Sequence, residues 1–221
     1  MKIDFHEIEF EAKVRELKLN FKLLNRDFLT IKETFVMQTN KEKMLAGELY
    51  QSFDQILSTE RQEVQKLLYR LNQLEPDNFK EKSEILNLIF KDLGKNIFIE
   101  LPFRCDYGYN ISIGKNFFAN FNCTFLDSAP IKIGNHVLFG PNVSLFTSGH
   151  PIDVEKRKKL FQFAKPITIE NNVWIGGNTV VNPGVTIGEN TVIGSGSVVT
   201  KSIPANVVAA GNPCKVIRKI D

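Results

Sequence analysis

The sequence is poor in cysteine, in net charge and in long apolar runs. No segment reaches the ~18 consecutive apolar residues of a membrane span, and residues 1–20 alternate acidic, basic and apolar side chains too finely for a signal peptide. The three cysteines, Cys105, Cys123 and Cys214, are an odd number without the spacing of metal ligands, so we expect reduced thiols. The net charge of +3 is too small to indicate a nucleic acid partner. These absences predict a cytoplasmic protein with no membrane partner.

Glycine is also scarce in residues 1–95, where it occurs only twice. Apolar residues recur in this part at helical spacing, for example at Val64, Leu67, Leu68, Leu71 and Leu74. From about Ile97 onward, Gly, Asn, Val, Ile and Thr dominate the sequence. We therefore expect a helical extension of unknown role over residues 1–37, a helical domain over residues 38–95 and a mostly β domain over residues 96–221.

The second part of the chain carries a repeat of six residues. Apolar or small residues recur in one phase over two long runs, and a small or β-branched residue often follows four positions later. The first set is Ile113, Ala119, Phe125, Ile133, Phe139, Leu145, Ile169, Ile175, Val181, Ile187, Ile193 and Val199, and the second is Val137, Val143, Val173, Thr179, Val185, Thr191 and Ser197. Six residues are too few to bury a face alone, so three units must wrap into one triangular coil with Gly or Asn at its corners. This pattern predicts a left-handed parallel β-helix, because the strands of a β-sandwich would not keep one phase for so long.

Residues 151–168 interrupt the repeat. They lack glycine, are rich in charge and stand between two in-phase runs, so we expect them to leave the coil as a loop. The loop begins directly after His150, one of three histidines in the chain. His6 lies in a polar leader, and His136 lies at a predicted corner, where a polar surface residue is the ordinary interpretation. His150 is a candidate catalytic base at the edge of the coil, although an exposed corner would also suit a histidine.

Five motifs stand out against this background, one in the helical part and four in the repeat. They are Lys41–Tyr50, Thr147–Pro151, Asn171–Gly176, Pro183–Gly188 and Ala209–Cys214. Their sequences and their order resemble the maltose/galactoside O-acetyltransferase family of hexapeptide-repeat acyltransferases, over about residues 40–221. The resemblance implies transfer of an acetyl group from acetyl-CoA to a sugar hydroxyl without a metal, with residues 38–95 as the acceptor-side domain.

By this resemblance His150 is the general base. A sugar hydroxyl needs a base to take its proton while its oxygen attacks the thioester, and an imidazole can do this and then return the proton to the CoA thiolate. No acyl-enzyme is then needed. The family's oxyanion-stabilising asparagine corresponds to Asn120, although a structural asparagine at a corner of the coil would look the same.

The resemblance also implies binding residues for both substrates. On the acceptor side these are Asp106, Asp127, Ser52 and Asp54, which depart in part from the acids of the galactoside enzymes. On the donor side the pantetheine arm of acetyl-CoA would pass Trp174, Gly176, Gly177, Ser195 and Thr200, and its phosphates would lie near Lys201, Lys215 and Arg218. Lys215 replaces an arginine that is common in the family, so a bidentate contact is lost.

We also expect a homotrimer, because three coils can each bury one flat face around a threefold axis. Four aromatic residues expected on the surface support this, namely Phe117, Phe121, Phe139 and Phe146. By resemblance, the 151–168 loop would then reach the neighbouring protomer.

Three other functions are alternatives to the acetylation of a sugar. Three scattered histidines do not make the zinc site of a γ-class carbonic anhydrase, and a non-catalytic β-helix has no need of the histidine at the loop junction. The remaining rival is a xenobiotic acetyltransferase that acts on an antibiotic or another hydroxylated metabolite.

Overall fold

The computed structural model describes residues 38–220, and the helical extension expected over residues 1–37 lies outside them. Residues 40–221 form one compact unit. The described part of this unit contains four helices, which are α1 (Asn40–Ala46), α2 (Gln55–Asn72), α3 (Phe79–Ile89) and α4 (Val154–Lys158). None of them is long and apolar enough to cross a membrane.

After α3 the chain winds through three sheets, which we number in the order in which the chain visits them. The first sheet contains β2 (Asp92–Leu93), β5 (Ile111–Ile113), β8 (Ile131–Ile133), β13 (Ile167–Ile169) and β16 (Thr186–Ile187). The second contains β3 (Ile97–Ile99), β6 (Phe117–Ala119), β9 (Leu138–Phe139), β14 (Trp174–Ile175), β17 (Val192–Ile193), β19 (Val207–Ala210) and β20 (Lys215–Lys219). The third contains β4 (Arg104–Cys105), β7 (Thr124–Leu126), β10 (Ser144–Phe146), β15 (Val180–Val181) and β18 (Val198–Val199). Neighbouring strands are parallel except for β20, which folds back antiparallel on β19.

Side chains in these strands alternate between the inside and the outside of the coil. In the first sheet Ile133, Ile169 and Ile187 stack in register on the inside, and each is at most 4% exposed. Every residue of the two periodic sets derived from the six-residue repeat is buried in the same way. The predicted fold, a parallel β-helix of hexapeptide repeats preceded by helices, is therefore confirmed.

The corners between the first and second sheets use left-handed backbone. Their residues have φ between 56° and 60° and are Asn96, Asn116, His136, Asn172, Asn190 and Asn206. Asparagine tolerates this region because its short side chain can hydrogen-bond locally. The amides also bond from coil to coil, as Asn96 does to Asn116 at 2.8 Å. His136 takes the same place in its coil and is exposed, which confirms its interpretation as a surface corner residue.

Helices α2 and α3 close the N-terminal end of the coil, where an open end would expose the core. They contribute apolar residues to the same buried cluster as the coil, namely Leu68, Leu71, Ile85, Leu86 and Ile89. Asn72 ties α2 to the first coil, because it accepts a hydrogen bond from the N–H of Phe103 at 2.8 Å and donates one to its carbonyl at 2.9 Å. The coil begins slightly before the change in composition, since Asp92 and Leu93 already pair with β5.

The excursion from the coil lies between β10 and β13 and is more ordered than a plain loop. β11 (Ser148–Gly149) and β12 (Phe161–Ala164) pair antiparallel, and α4 joins them with exposed, mostly charged residues. β12 also pairs antiparallel with β1 (Tyr50–Gln51), which precedes α2. The excursion therefore connects the corner between the third and first sheets to the helical segment of the same chain.

Two of the four aromatic residues expected on the surface are inside the coil. Phe117 and Phe139 are each 1% exposed and pack edge to face with ring centres 5.2 Å apart. The expectation that they contribute to an intersubunit surface is wrong, because both side chains point inward from their strands. Phe121 lies at a corner and is 45% exposed, and Phe146 is half-buried on the outer side of the third sheet.

The three outer faces of the coil differ in polarity. The first sheet presents Asp92, Ser112, Lys132, Thr168 and Thr186 in register. The third sheet presents Arg104, Thr124, Ser144, Val180 and Val198. The second sheet presents a continuous apolar row, Phe98, Phe118, Leu138, Trp174, Val192 and Val208. The exposed apolar surface of the described coil is thus concentrated on one face.

The alternation of inward and outward side chains predicts opposite results for two adjacent residues. Replacing Ile187, which is fully buried, with alanine should lower the free energy of unfolding by about 2–5 kcal/mol, because it leaves a cavity between coils. Replacing the outward Thr186 with alanine should change it by no more than about 0.5 kcal/mol. Urea unfolding at equal protein concentrations compares the two variants, and equal losses would contradict this alternation.

Candidate active site

His150 follows β11, at the corner between the third and first sheets where the excursion begins. Its ring is exposed, and its Nδ1 lies 2.9 Å from the carbonyl oxygen of Phe161 in β12. A carbonyl oxygen only accepts hydrogen bonds, so Nδ1 must carry the proton and donate it. In the neutral ring the lone pair is then on Nε2. The backbone of the excursion thus orients the His150 ring so that Nε2 is the accepting nitrogen of its neutral form.

A cluster of polar side chains connects this histidine to the helical segment, which is residues 38–95. We call it the polar cluster, and it consists of Tyr50, Ser52, Arg61, Asp106, Tyr107, Asp127 and Gln162. The amide of Gln162 lies between His150 and Tyr50, with its Oε1 2.9 Å from the Tyr50 hydroxyl and its Nε2 3.5 Å from the Nε2 of His150. Tyr50 is fully buried, and burial raises the pKa of its hydroxyl. Tyr50 therefore stays protonated at neutral pH and serves as a hydrogen-bond donor.

Arg61 from α2 crosses the same cluster. Its guanidinium donates to the hydroxyl of Tyr107, to the carbonyl of Ser52 at 2.6 Å and to the hydroxyl of Ser58 at 3.3 Å. Burial raises the pKa of the nearby Asp106 carboxyl, and the positive charge of Arg61 opposes that shift. Arg61 thus contacts the buried Ser52 and acts electrostatically on Asp106, and both of these are expected acceptor-binding residues.

Asp127 is completely buried in this cluster. Its Oδ1 accepts from the backbone N–H groups of Asp106 at 3.0 Å and Tyr107 at 2.8 Å, while its Oδ2 has no hydrogen-bond partner among the described residues. Burial is the main cause that raises the pKa of Asp127 to about 6. The carboxyl group predicted to contact the acceptor therefore holds the turn that carries Asp106.

Asp54 stands at the edge of the cluster as the cap of α2. Its Oδ1 accepts from the backbone N–H groups of Ile56 at 3.0 Å and Leu57 at 3.3 Å, and its Oδ2 accepts from the side chain of Asn40 at 3.3 Å. These bonds satisfy N–H groups that the first turn of a helix leaves without partners. The structure gives Asp54 a capping role, and an additional contact with the acceptor stays a prediction.

Asn120 and the expected pantetheine residues lie along another edge, between the second and third sheets. Asn120, Gly140, Gly176 and Gly194 follow the adjacent strands β6, β9, β14 and β17 in successive coils. The Oδ1 of Asn120 accepts from the N–H of Phe121 at 2.8 Å, so its NH₂ is the group that can donate to a ligand. The structure thus brings together Asn120, Gly176, Gly177, Ser195 and the outward Trp174, which is 53% exposed.

Gly176, which is expected beside the pantetheine arm, also has a structural reason for being glycine. A Cβ atom there would lie 2.5 Å from the backbone nitrogen of Ser195 in the next coil. Gly176 is therefore required by the stacking of coils, whether or not a ligand approaches it. The edge beside the exposed Trp174 thus carries small residues for a reason of packing.

The basic residues expected near phosphates do not form one cluster. Thr200 and Lys201 are exposed at the corner after β18, between the third and first sheets. Lys215 and Arg218 are exposed on β20, where Lys215 pairs with Ala210 and Arg218 with Val208. Lys215 therefore stands near the end of the edge that carries Gly176 and Ser195, whereas Lys201 lies at a different corner.

Two residues of the polar cluster carry no distinctive signal in the sequence, and a third does carry one. Arg61 has the spacing of any charged residue in an amphipathic helix, and Gln162 lies in a segment rich in charge. Tyr50 falls within the Lys41–Tyr50 motif, which could have marked it. Among residues 38–220, no group of three or more His, Cys, Asp or Glu side chains could hold a metal ion.

The buried carboxyl of Asp127 predicts a measurable pH dependence of stability. In the unfolded chain this group ionises around its ordinary pKa of 3.8, but in the folded protein it ionises only near pH 6. The folded state therefore loses stability as the pH rises from about 4 to about 6, by roughly 3 kcal/mol at most. Asp127→Asn lacks this loss, so its free energy of unfolding relative to the parent protein should rise over that interval. Parallel urea-unfolding curves for the two proteins against pH would contradict the prediction.

Comparison with known proteins agrees with this architecture. Residues 43–94 match the maltose acetyltransferase hexapeptide capping motif, and residues 166–201 match the bacterial transferase hexapeptide of six repeats.

Individual relatives match over most of the chain. The chain is 47% identical over 180 residues to the galactoside O-acetyltransferase of Escherichia coli (strain K12), and the alignment covers 81% of this chain and 89% of that protein. The crystal structure of a maltose O-acetyltransferase from Clostridium difficile 630 superimposes with a TM-score of 0.82 and 49% identity, and it covers 83% of this chain and 98% of that one. A hexapeptide-repeat acetyltransferase from Vibrio cholerae complexed with acetyl coenzyme A has a TM-score of 0.77 and 36% identity, with 83% and 100% of the two chains covered. On these matches the chain belongs to the maltose/galactoside O-acetyltransferase family of hexapeptide-repeat acyltransferases.

Proposed function

We propose that this protein transfers the acetyl group of acetyl-CoA directly to a sugar hydroxyl, with His150 as the general base. The observation that carries the proposal is the 2.9 Å contact between Nδ1 of His150 and the carbonyl of Phe161. It leaves the lone pair of the neutral ring on Nε2, where it can accept the hydroxyl proton during attack on the thioester. The same nitrogen then returns the proton to the departing thiolate, so that no acyl-enzyme is formed.

Asn120 would stabilise the oxyanion that develops on the thioester carbonyl. Because its Oδ1 is engaged by the N–H of Phe121, its NH₂ is oriented to donate. A donor held in place before the reaction stabilises the developing charge without reorganisation in the transition state.

The donor groove would follow the edge between the second and third sheets. The exposed Trp174 offers an apolar surface beside the small residues Gly176, Gly177 and Ser195, which suits a pantetheine arm. Lys215 on β20 and Lys201 at the corner after β18 would contact the phosphates as point charges, and Arg218 on β20 would contact them through its guanidinium group. The relative from Vibrio cholerae, which was crystallised with acetyl coenzyme A, supports this choice of donor.

The polar cluster beside His150 would form the acceptor site. Asp106, Ser52 and the groups around Arg61 and Tyr107 provide donors and acceptors of the kind that sugar hydroxyls bind. The galactoside and maltose enzymes among the relatives favour a glucose-, maltose- or galactoside-like acceptor. Release of the CoA thiol, measured with a panel of sugars and of hydroxylated antibiotics, shows whether the acceptor is a sugar or a xenobiotic.

A homotrimer with shared active sites would place His150 of one chain beside Asn120 of the next. In one chain, β7 separates the corner of Asn120 from the corner of Asp127, and β10 likewise separates Gly140 from the corner of His150. The base and the oxyanion donor thus stand on different edges of the coil. The apolar row on the second sheet offers a face for a neighbouring coil, in place of the inward Phe117 and Phe139.

His150→Ala should lower kcat by a factor on the order of 10² to 10⁴, the range for loss of a general base, while acetyl-CoA still binds. His136→Asn is the matched control, because the other described corners of that edge carry asparagine. The control should keep the parent kcat. Near-normal turnover in His150→Ala, measured with the preferred acceptor, would overturn the assignment of the base.

Mixed trimers test the shared site. If His150 of one chain works with Asn120 of the next, a trimer that contains both co-expressed His150→Ala and Asn120→Ala chains has one intact site of three, so mixed trimers should recover about a third of the parent activity. Each variant alone should be almost inactive. Differently tagged chains, purified through both tags, confirm that mixed assemblies are measured. Active monomers in sedimentation velocity, or mixed trimers no more active than the separate variants, would contradict the model.

A further inference from the structure

We propose that Gln162, held by Tyr50, is a positioning residue that keeps His150 in its neutral form with the lone pair on Nε2. This inference rests on the proposed role of His150 as the base. The amide of Gln162 lies 3.5 Å from Nε2 of His150 through its nitrogen and 2.9 Å from the hydroxyl of Tyr50 through its oxygen. A single side chain thus connects the base to the helical segment.

The backbone places these three residues together through the antiparallel sheet. Tyr50 of β1 is directly opposite Gln162 of β12, and Gly149, beside His150, is opposite Phe163 on the other edge of β12. A Cβ atom at position 149 would lie 2.8 Å from the Phe163 ring, so the close pairing of β11 and β12 depends on this glycine. The backbone of Gln162 is therefore fixed next to the base by the pairing of the excursion.

The direction of each hydrogen bond follows from the donors available. Tyr50 is fully buried with a pKa raised by burial, so its hydroxyl keeps its proton and donates to the Oε1 of Gln162. This bond orients the amide so that its NH₂ points toward His150. Because Nδ1 already donates to Phe161, the NH₂ can only donate to the lone pair on Nε2.

This arrangement discriminates between the two protonation states of the ring. An NH₂ donor stabilises the neutral imidazole, whereas it faces a second donor once Nε2 is protonated. The long distance of 3.5 Å makes the bond weak, so a substrate hydroxyl can displace it. The charged groups close to Tyr50 are Asp106 and Arg61, which have opposite signs and shift the pKa of Tyr50 in opposite directions.

The test is the pH profile of kcat/KM for three variants in the full-length protein. Gln162→Glu places a carboxylate against Nε2, which favours the protonated ring, so the acidic limb of the profile should move upward by on the order of one pH unit. Gln162→Met keeps the size but removes the donor, and kcat should fall by roughly 3- to 10-fold with KM for acetyl-CoA unchanged. Tyr50→Phe should lower kcat by a similar factor.

The double variant Tyr50→Phe/Gln162→Met should be no slower than the slower single variant, because both remove one connected contact. Gln62→Glu, at an exposed position of α2, controls for the added charge and should keep the parent profile. An unshifted profile in Gln162→Glu, or independent losses in the double variant, would overturn the positioning role. If His150→Ala remains active, the proposed base is wrong; if only the Gln162 and Tyr50 variants behave like the parent, this inference alone fails.

Discussion

The short strands of the coil find their backbone hydrogen-bond partners one coil away, and the side chains that they bury stack on equivalent side chains of the next coil. Ile133, Ile169 and Ile187 show this arrangement in the first sheet. No six-residue unit can hold its shape alone, so stability depends on nearest-neighbour stacking. Both ends of the stack therefore need closure. Helices α2 and α3 cover one end, and the basic β20 folds back along β19 near the other.

Close stacking also explains the small residues along the edge that we assign to the donor. Gly176 has no room for a side chain, because the backbone of Ser195 in the next coil lies against it. Small residues follow one another at successive corners of that edge, next to the face from which Trp174 projects. A feature required for packing thus provides a surface on which an extended ligand can lie. The same glycine serves the fold and the proposed binding of pantetheine.

The proposed acceptor site arises where the regular stacking is interrupted. The excursion leaves the coil at His150, and its return strand β12 lies between β11 and β1. This pairing brings Phe161 and Gln162 against the histidine ring and carries Tyr50 from a segment about a hundred residues earlier in the chain. Beneath it, the buried Asp127 holds the turn of Asp106 and Tyr107. A regular coil offers no comparable pocket, because its faces are flat.

Local periodicity by itself determined the β-helix, its inward residues, its asparagine corners and the position of the excursion, because a six-residue period states which side chain points inward at every turn. The helical segment and the histidine at the loop junction were also readable from motifs in the sequence. Only the tertiary structure decided that Asp127 is sealed beneath the turn of Asp106 and Tyr107. It also brought Arg61, Tyr50 and Gln162 into one cluster. These outcomes depend on contacts between segments far apart in the chain, and residue types at short spacing carry no information about such contacts.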